Sequence, residues 1–167
     1  MKIAHSSTHL RRATAVLAAA LLVGLAAAQV AEAKPITGCS LLRLSEVRTT
    51  LGSPAALTRG GSISECIIRG GDHLPIVLLA NRSGIAGYKG LLGAAGVPLK
   101  ALRNTGTQAV TYDHEFQDPQ GVARGVIIRK GSLVLQLTVN DVGPNPPGLP
   151  TVAQLVKLAR AALPRLK

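Results

Sequence analysis

The chain has 167 residues and a formal net charge of +11, from 19 Lys and Arg against 8 Asp and Glu. A hydrophobic fraction of 47% excludes a disordered polybasic tail, because such tails lack the apolar side chains that build a core. Two cysteines exclude a disulfide-dense miniprotein and a zinc site with four Cys ligands. The length leaves room for one domain of ordinary size after a targeting segment.

Residues 1–33 have the three parts of an export signal. They begin with a basic stretch that has no acid, continue with an uncharged apolar run of about 16 residues, and end on Ala31-x-Ala33, the small-residue pattern that a signal peptidase cleaves. The apolar run is short for a membrane span of about 20 residues. We therefore predict a cleaved signal peptide, a single mature domain at 34–167 without a transmembrane segment, and a secreted or periplasmic location in the cell envelope. An uncleaved anchor and the twin-arginine export route are the alternatives.

Cys39 allows a second processing route. Residues 36–39, Ile-Thr-Gly-Cys, fit the lipobox at which bacterial cysteines are lipidated. A lipobox should directly follow the apolar run, whereas several polar residues and Pro35 intervene here. Lipidation would also leave Cys66 as a lone thiol in an oxidising compartment. We expect a disulfide between Cys39 and Cys66, with a lipidated Cys39 as the alternative.

The mature sequence begins with a short helix and two strands. Apolar residues recur on one helical face of 45–51, and Gly52 stands where a left-handed C-cap is wanted. Residues 63–69 and 74–80 are rich in Ile, Leu and Val and flank a Gly-Gly-Asp-His turn, which is typical of paired strands. A helix interrupted by glycines follows at 85–95.

A hairpin gives the clearest local signal. Alternating apolar segments at 122–129 and 132–140 flank a Lys-Gly dipeptide at 130–131, a two-residue loop in which Gly supplies positive φ. Pairing across this loop places Ile128 opposite Leu133. One face of the hairpin is then apolar and the other polar, as in a half-buried antiparallel sheet.

The last element is a helix at 152–163. Thr151 and Gln154 form a capping box at its start, and apolar residues make one stripe along it. Together with a further strand at 108–112, these elements predict an α+β fold. We expect an antiparallel sheet of about five strands with two or three helices and the C-terminal helix packed on the sheet.

Four landmarks open the domain: Cys39-Ser-Leu-Leu, Glu46-Val, Leu51-Gly, and Cys66 on a strand. In this pattern the chain resembles a group of small bacterial secreted domains of unknown function. Many of them are envelope lipoproteins, and some relatives look like extracellular sensor domains of membrane kinases. The aromatic that the group has after its second Cys is Ile68 here. The resemblance implies a fold and an envelope location, and it implies no catalytic residue because the group has no agreed one.

Few residues offer catalytic or metal-binding chemistry. His73 lies in a glycine-rich turn, and the chain has no Gly-x-Ser-x-Gly elbow, so we assign no catalytic residue. Asp113, Glu115 and Asp118 are a candidate metal site, since a hard cation binds several oxygens. The cluster lacks the glycine-turned loop that places such oxygens around one ion. The alternative is a solvated strand end whose acids pair with Arg or Lys. No metal and no cofactor is assigned.

The excess of basic residues favours an anionic partner. Without the four charged residues of the signal segment, 16 basic and 7 acidic residues remain. Outside the cytoplasm such charge favours phospholipid headgroups, wall polymers or acidic glycans. Export and the scarcity of stacking aromatics argue against nucleic acid. The predicted anionic-surface residues are Arg129 and Lys130 at the hairpin tip and Lys157 and Arg160 on the last helix, and purely solubilising charge is the alternative.

We therefore expect a secreted, non-enzymatic envelope module that binds a ligand, an anionic surface or a protein partner. A hydrolase of cell-wall or lipid substrates and an accessory subunit of an envelope complex are the alternatives. The shape of the site separates them, because a deep pocket favours an enzyme or a small ligand and a flat sheet favours protein contact.

Overall fold

In the computed structural model, one antiparallel sheet carries helices on both of its faces. The structure describes residues 35–82, 84–103, 105, 108–117, 120–142 and 148–167, so the predicted signal peptide lies outside it. Lys34–Lys167 is one compact unit. The described strands are β1 (Ala55–Arg59), β2 (Glu65–Gly70), β3 (Ile76–Asn81), β4 (Leu99–Ala101), β5 (Ala109–Gln117), β6 (Gln120–Lys130) and β7 (Leu133–Val142). The described helices are α1 (Leu44–Leu51), α2 (Ile85–Ala94) and α3 (Val152–Ala162), with 3-10 turns at Gly38–Leu41 and Leu163–Arg165.

The α+β class and the packing of the C-terminal helix on the sheet are confirmed, but the expected strand number is wrong. The described part of the chain has seven strands in the order β1-β2-β3-β7-β6-β5-β4. The two strands that sequence reasoning missed, β1 and β4, are the edges of the sheet. Both are short, with five and three residues, and lie in turn-rich sequence. They are strands because a neighbouring strand supplies their hydrogen bonds, which local periodicity does not register.

The β6–β7 hairpin is present, and its predicted register is wrong by two residues. Ile128 pairs with Leu135 rather than Leu133, and the loop is Gly131 and Ser132. Lys130 stays in the strand opposite Leu133. The predicted apolar face is nevertheless the observed one, because a shift of two residues preserves the alternation of side chains. The face predicted to be polar also carries buried apolar residues, among them Ile127 and Val134.

Each face of the sheet has its own hydrophobic cluster. On one face, α1 and α3 cover the larger cluster, to which Val47 and Leu158 contribute from the helices. On the other face, α2 covers a smaller cluster around Ile127, Val134 and Tyr112. The face predicted to be polar is therefore partly covered by a helix.

The helix ends follow their sequence signals. The Thr151 hydroxyl accepts the N–H of Gln154 at 3.2 Å, and the Gln154 side chain accepts the N–H of Thr151 at 2.8 Å, which confirms the capping box of α3. Gly52 ends α1 with φ 92°, and its N–H donates to the carbonyl of Arg48. Both helices thus satisfy backbone groups that would otherwise lack partners.

Candidate functional site

The predicted disulfide between Cys39 and Cys66 is confirmed. Its sulfurs are 2.03 Å apart and its Cα atoms 4.9 Å apart. Cys39 lies in the turn Gly38–Leu41, and Cys66 is fully buried in β2. The bond therefore ties the start of the domain to the sheet, and it leaves no free cysteine among the described residues.

Arg129 and Lys130, the predicted binding pair at the hairpin tip, point to opposite faces of the sheet because adjacent strand residues alternate. The Nζ of Lys130 donates to the carbonyls of Leu163 and Leu166 at 2.8 and 2.9 Å. These carbonyls follow the C-terminal end of α3, where a cation is favourable. Arg129 is exposed, and its Nε donates to the carbonyl of Gly131 at 2.9 Å. Lys130 thus stabilises the end of a helix, whereas Arg129 faces solvent.

Lys157 and Arg160, the other predicted pair, are exposed on the outer side of α3. The Nζ of Lys157 donates to the carbonyl of Thr49 in α1 at 3.3 Å. It lies at a shallow cleft of about 210 Å³ between the two helices, lined by Ser45, Glu46, Thr49, Thr50, Lys157 and Ala161. The four predicted basic residues are therefore distributed over different surfaces.

Of the three candidate metal residues, the structure describes Asp113 and Glu115, both on β5. An oxygen of Asp113 accepts the Nε–H of Arg124 at 2.7 Å, and Arg124 also donates to the carbonyl of Pro150 at 3.0 Å. Glu115 is exposed further along β5, and Asp118 lies outside the described residues. Where the structure describes the chain, no group of three His, Cys, Asp or Glu residues could hold a metal ion. Asp113 forms the ion pair that the alternative interpretation expected.

Both histidines in the described residues make structural contacts. The Nδ1 of His73 is 3.2 Å from the carbonyl oxygen of Gly148, and its Nε2 is 3.1 Å from the amide nitrogen of Gln154. With the Gln154 amide as donor, the ring proton of His73 lies on Nδ1 and is donated to Gly148. His73 therefore connects the β2–β3 turn to the start of α3. The ring of His114 packs edge-on against Phe116 with centroids 4.7 Å apart.

The strand order brings together basic residues that lie far apart in sequence. We call the end of the sheet where β6 and β7 join at Gly131 the hairpin end. Arg129 lies there, opposite Val134 in β7. Arg82 directly follows Asn81, the last residue of β3, which also pairs with Val134. Two exposed arginines from different strands therefore reach the same end of the sheet.

Arg103 reaches the hairpin end from a third strand. It follows Leu102, whose N–H donates to the carbonyl of Ala109 at the start of β5. Ala109 pairs with Ile128 in β6, close to the hairpin loop. Arg103 is also exposed. We call these three exposed arginines the basic end: Arg82, Arg103 and Arg129. They come together only through the strand register, so the sequence alone could not identify them as a group.

The acidic residues of the described sheet lie mostly away from the basic end. Four of them lie in the other half of the sheet or in the turn beyond it: Asp72, Asp113, Glu115 and Asp141. Glu65, at the start of β2, is the exception. Its carboxylate accepts the N–H of Gly61 at 3.0 Å. Among the described acids of the sheet, Glu65 is therefore the one near the basic end.

Glu46 and Arg165 join α1 to the turn after α3. Two guanidinium nitrogens of Arg165 donate to the two carboxylate oxygens of Glu46 at 2.7 and 3.0 Å. The same guanidinium donates to the carbonyl of Leu41, and the N–H of Arg43 donates to Glu46. The hydrogen bond from Arg165 is the main cause that lowers the pKa of Glu46, and it outweighs the opposing effect of burial.

We expect E46Q to weaken folding at neutral pH and to matter less in acid. A carboxylate with a lowered folded pKa stabilises the fold fully above its unfolded pKa of about 4.5, and this stabilisation is lost as the pH falls through the lower folded pKa. Because 26% of the Glu46 side chain is exposed, the expected loss at pH 7 is about 1 kcal/mol or less. Denaturant unfolding at pH 7, 5 and 3 measures it.

The matched control for this prediction is E115Q, at an exposed glutamate of β5. It should unfold like the wild-type protein at each pH. A deficit of E46Q that stays constant from pH 7 to pH 3 contradicts an ionic origin.

No protein-family model matches the chain, and no curated protein matches it. In the part of the chain that the structure describes, no helix has the length and apolar character that crossing a membrane requires. We therefore infer function from the charge, exposure and contacts of the described residues.

Proposed function

We propose that the protein is an exported, non-enzymatic module that binds an anionic surface of the cell envelope through its basic end. The observation that carries the proposal is a set of exposed cations at one end of the sheet, near which the structure describes few acids. Arg82, Arg103 and Arg129 are exposed at the hairpin end, and four acids lie in the other half of the sheet or beyond it. An exposed cationic patch with few acids near it orients a protein toward a polyanion, which evenly scattered solubilising charge does not do.

The envelope location is part of this proposal. The export pattern of residues 1–33, the resemblance to bacterial envelope domains and the Cys39–Cys66 disulfide all support it, since structural disulfides persist in oxidising compartments. We expect the secreted product to begin at Lys34. Mass spectrometry of the exported protein tests this, and a first residue of acylated Cys39 contradicts it.

Salt-dependent retention tests the binding. The compact unit Lys34–Lys167 is applied to beads that carry a phosphate-rich wall polymer and to neutral polysaccharide beads, at rising salt. We expect retention on the anionic beads only, with a steep loss at higher salt, because exposed charges are screened beyond about 8 Å at physiological ionic strength. Equal retention on both kinds of bead at low salt overturns the proposal.

Two matched variants locate the surface, each with three cations removed. R82Q/R103Q/R129Q changes the basic end, and R48Q/K157Q/R160Q changes exposed positions of α1 and α3. We expect the first variant to elute at clearly lower salt than the second. Equal losses assign retention to net charge alone. A larger loss in the second variant places the site on the helix pair instead.

A further inference from the structure

Helix α2 exposes an apolar surface to solvent. Its inner side packs on the sheet through Ile85, Tyr88 and Leu92. Leu91 is 73% exposed, more than any other large hydrophobic residue that the structure describes. Lys89 is the only charged residue of the helix. The other exposed positions of α2 are also without polar side chains: Ala86, Gly87, Gly90, Gly93 and Ala94.

A helix that is apolar all round is normally buried on all sides. In the described residues, α2 has the sheet on one side only, so an apolar partner is expected on the other side. Next to α2, the same face of the sheet continues with partly exposed apolar residues of β2 and β3: Ile67, Val77 and Leu79. The apolar surface is therefore wider than the helix alone.

The charge around α2 defines the partner further. Residues 73–112 contain four basic residues and no acid. Arg82 precedes the helix by three residues, Lys89 lies on it, and Arg103 follows the strand after it; all three are exposed. These cations favour a partner that is apolar in its interior and anionic at its surface.

We propose that α2 docks on the surface of an anionic phospholipid bilayer, with Leu91 in the acyl boundary and Arg82, Lys89 and Arg103 at the phosphate headgroups. This rests on the proposed function and names the surface that is bound. Binding to the bilayer interface strengthens with the apolar area that enters the acyl boundary and with the attraction of cations to anionic lipids. A second copy of the chain fits less well, because two α2 surfaces packed face to face would bring like charges together, and these repel each other.

The absence of Trp from the chain gives a direct test. L91W introduces one fluorescent reporter at the proposed contact, and L44W is the matched control, because Leu44 is 42% exposed on the helix layer of the opposite face. Lys34–Lys167 is used, since the apolar run in residues 1–33 would partition into lipid by itself. We expect the emission of L91W to shift to the blue with vesicles containing about one third phosphatidylglycerol, and to stay unchanged with pure phosphatidylcholine. L44W should not shift with either.

A binding measurement completes the test. In co-sedimentation with the anionic vesicles, L91S should bind with about tenfold lower affinity than the wild-type protein. This is the expected effect of withdrawing one leucine from an apolar environment. L44S should bind like the wild-type protein. Because Leu91 is mostly exposed, folding of L91S is not expected to suffer.

Four outcomes overturn the proposal. Retention on the anionic wall polymer without binding to anionic vesicles overturns the bilayer proposal and leaves the proposed function intact. Vesicle binding with equal shifts, or no shifts, in L91W and L44W removes α2 as the contact. A blue shift of L91W that grows with protein concentration in the absence of vesicles indicates self-association. If the wild-type protein is retained on no anionic material, the proposed function is rejected as well.

Discussion

Removal of the disulfide in C39A/C66A is expected to lower the free energy of unfolding by about 3.5 kcal/mol. The bond closes a loop over a sequence separation of 27 residues, and a loop of that length restricts the unfolded chain by roughly this amount. It also joins the turn Gly38–Leu41 to the buried face of β2. Domains are typically stable by 5–15 kcal/mol, so a large share of the stability depends on one bond.

Denaturant unfolding followed by far-ultraviolet circular dichroism measures this loss, since the wild-type chain has no Trp. Alanine is chosen because Cys66 is fully buried and a serine hydroxyl there would need a hydrogen-bond partner. Reductant should destabilise the wild-type protein to a similar extent and leave C39A/C66A unchanged. A loss below about 1 kcal/mol contradicts the loop-closure argument.

G125A is expected to destabilise the domain by about 3 kcal/mol, at the upper end of the cost of overpacking. Gly125 lies in the middle of β6, between Tyr112 of β5 and Thr138 of β7. The hydroxyl of Tyr112 donates to the Thr138 hydroxyl at 2.8 Å, which holds the ring beside Gly125. A Cβ at this position would overlap with the ring and lie 2.7 Å from the carbonyl oxygen of Leu137. Tyr112 is 2% exposed, so the ring has little room to move.

G87A is the matched control for this prediction. Gly87 lies in α2, and a Cβ there meets no atom within 4 Å. Alanine in a helix interior is more favourable than glycine by roughly 0.5–1 kcal/mol, so G87A should stabilise the domain. Opposite signs for the two Gly-to-Ala changes are therefore expected in the same unfolding assay. If G125A has wild-type stability, the Tyr112 ring moves aside without a loss of free energy, and the prediction is wrong.

The sequence predicted elements whose signal is local. The alternation in 122–129 and 132–140 identified the apolar face of the hairpin that α1 and α3 cover, and the pair Thr151 and Gln154 marked the start of α3. β4 has only three residues, and it is a strand because β5 pairs with it. In the observed hairpin Gly131 is the first loop residue with φ 60°, where the favoured two-residue turns need positive φ. Lys130 remains in the strand, where its ammonium group reaches the carbonyls that follow α3.

The candidate site also has features that the sequence predicted and features that only the structure revealed. Two cysteines in a chain with an export pattern were enough to predict the disulfide. Charge counts led us to expect an anionic partner, which stays a prediction, and they did not indicate where the cations lie. Lys130 was assigned to a binding surface because its sequence neighbours show nothing of the end of α3, to which it is bonded.

By itself the sequence determined the α+β class, the helix caps, the alternation of the hairpin and the excess of positive charge. These depend on residues within a few positions of one another, or on composition alone. The tertiary structure decided the edge strands, the helix on the second face and the meeting of Arg82, Arg103 and Arg129 at one end of the sheet. Each of these depends on which strands are neighbours, and strand order is set by long-range packing and hydrogen bonding that no local window of sequence contains.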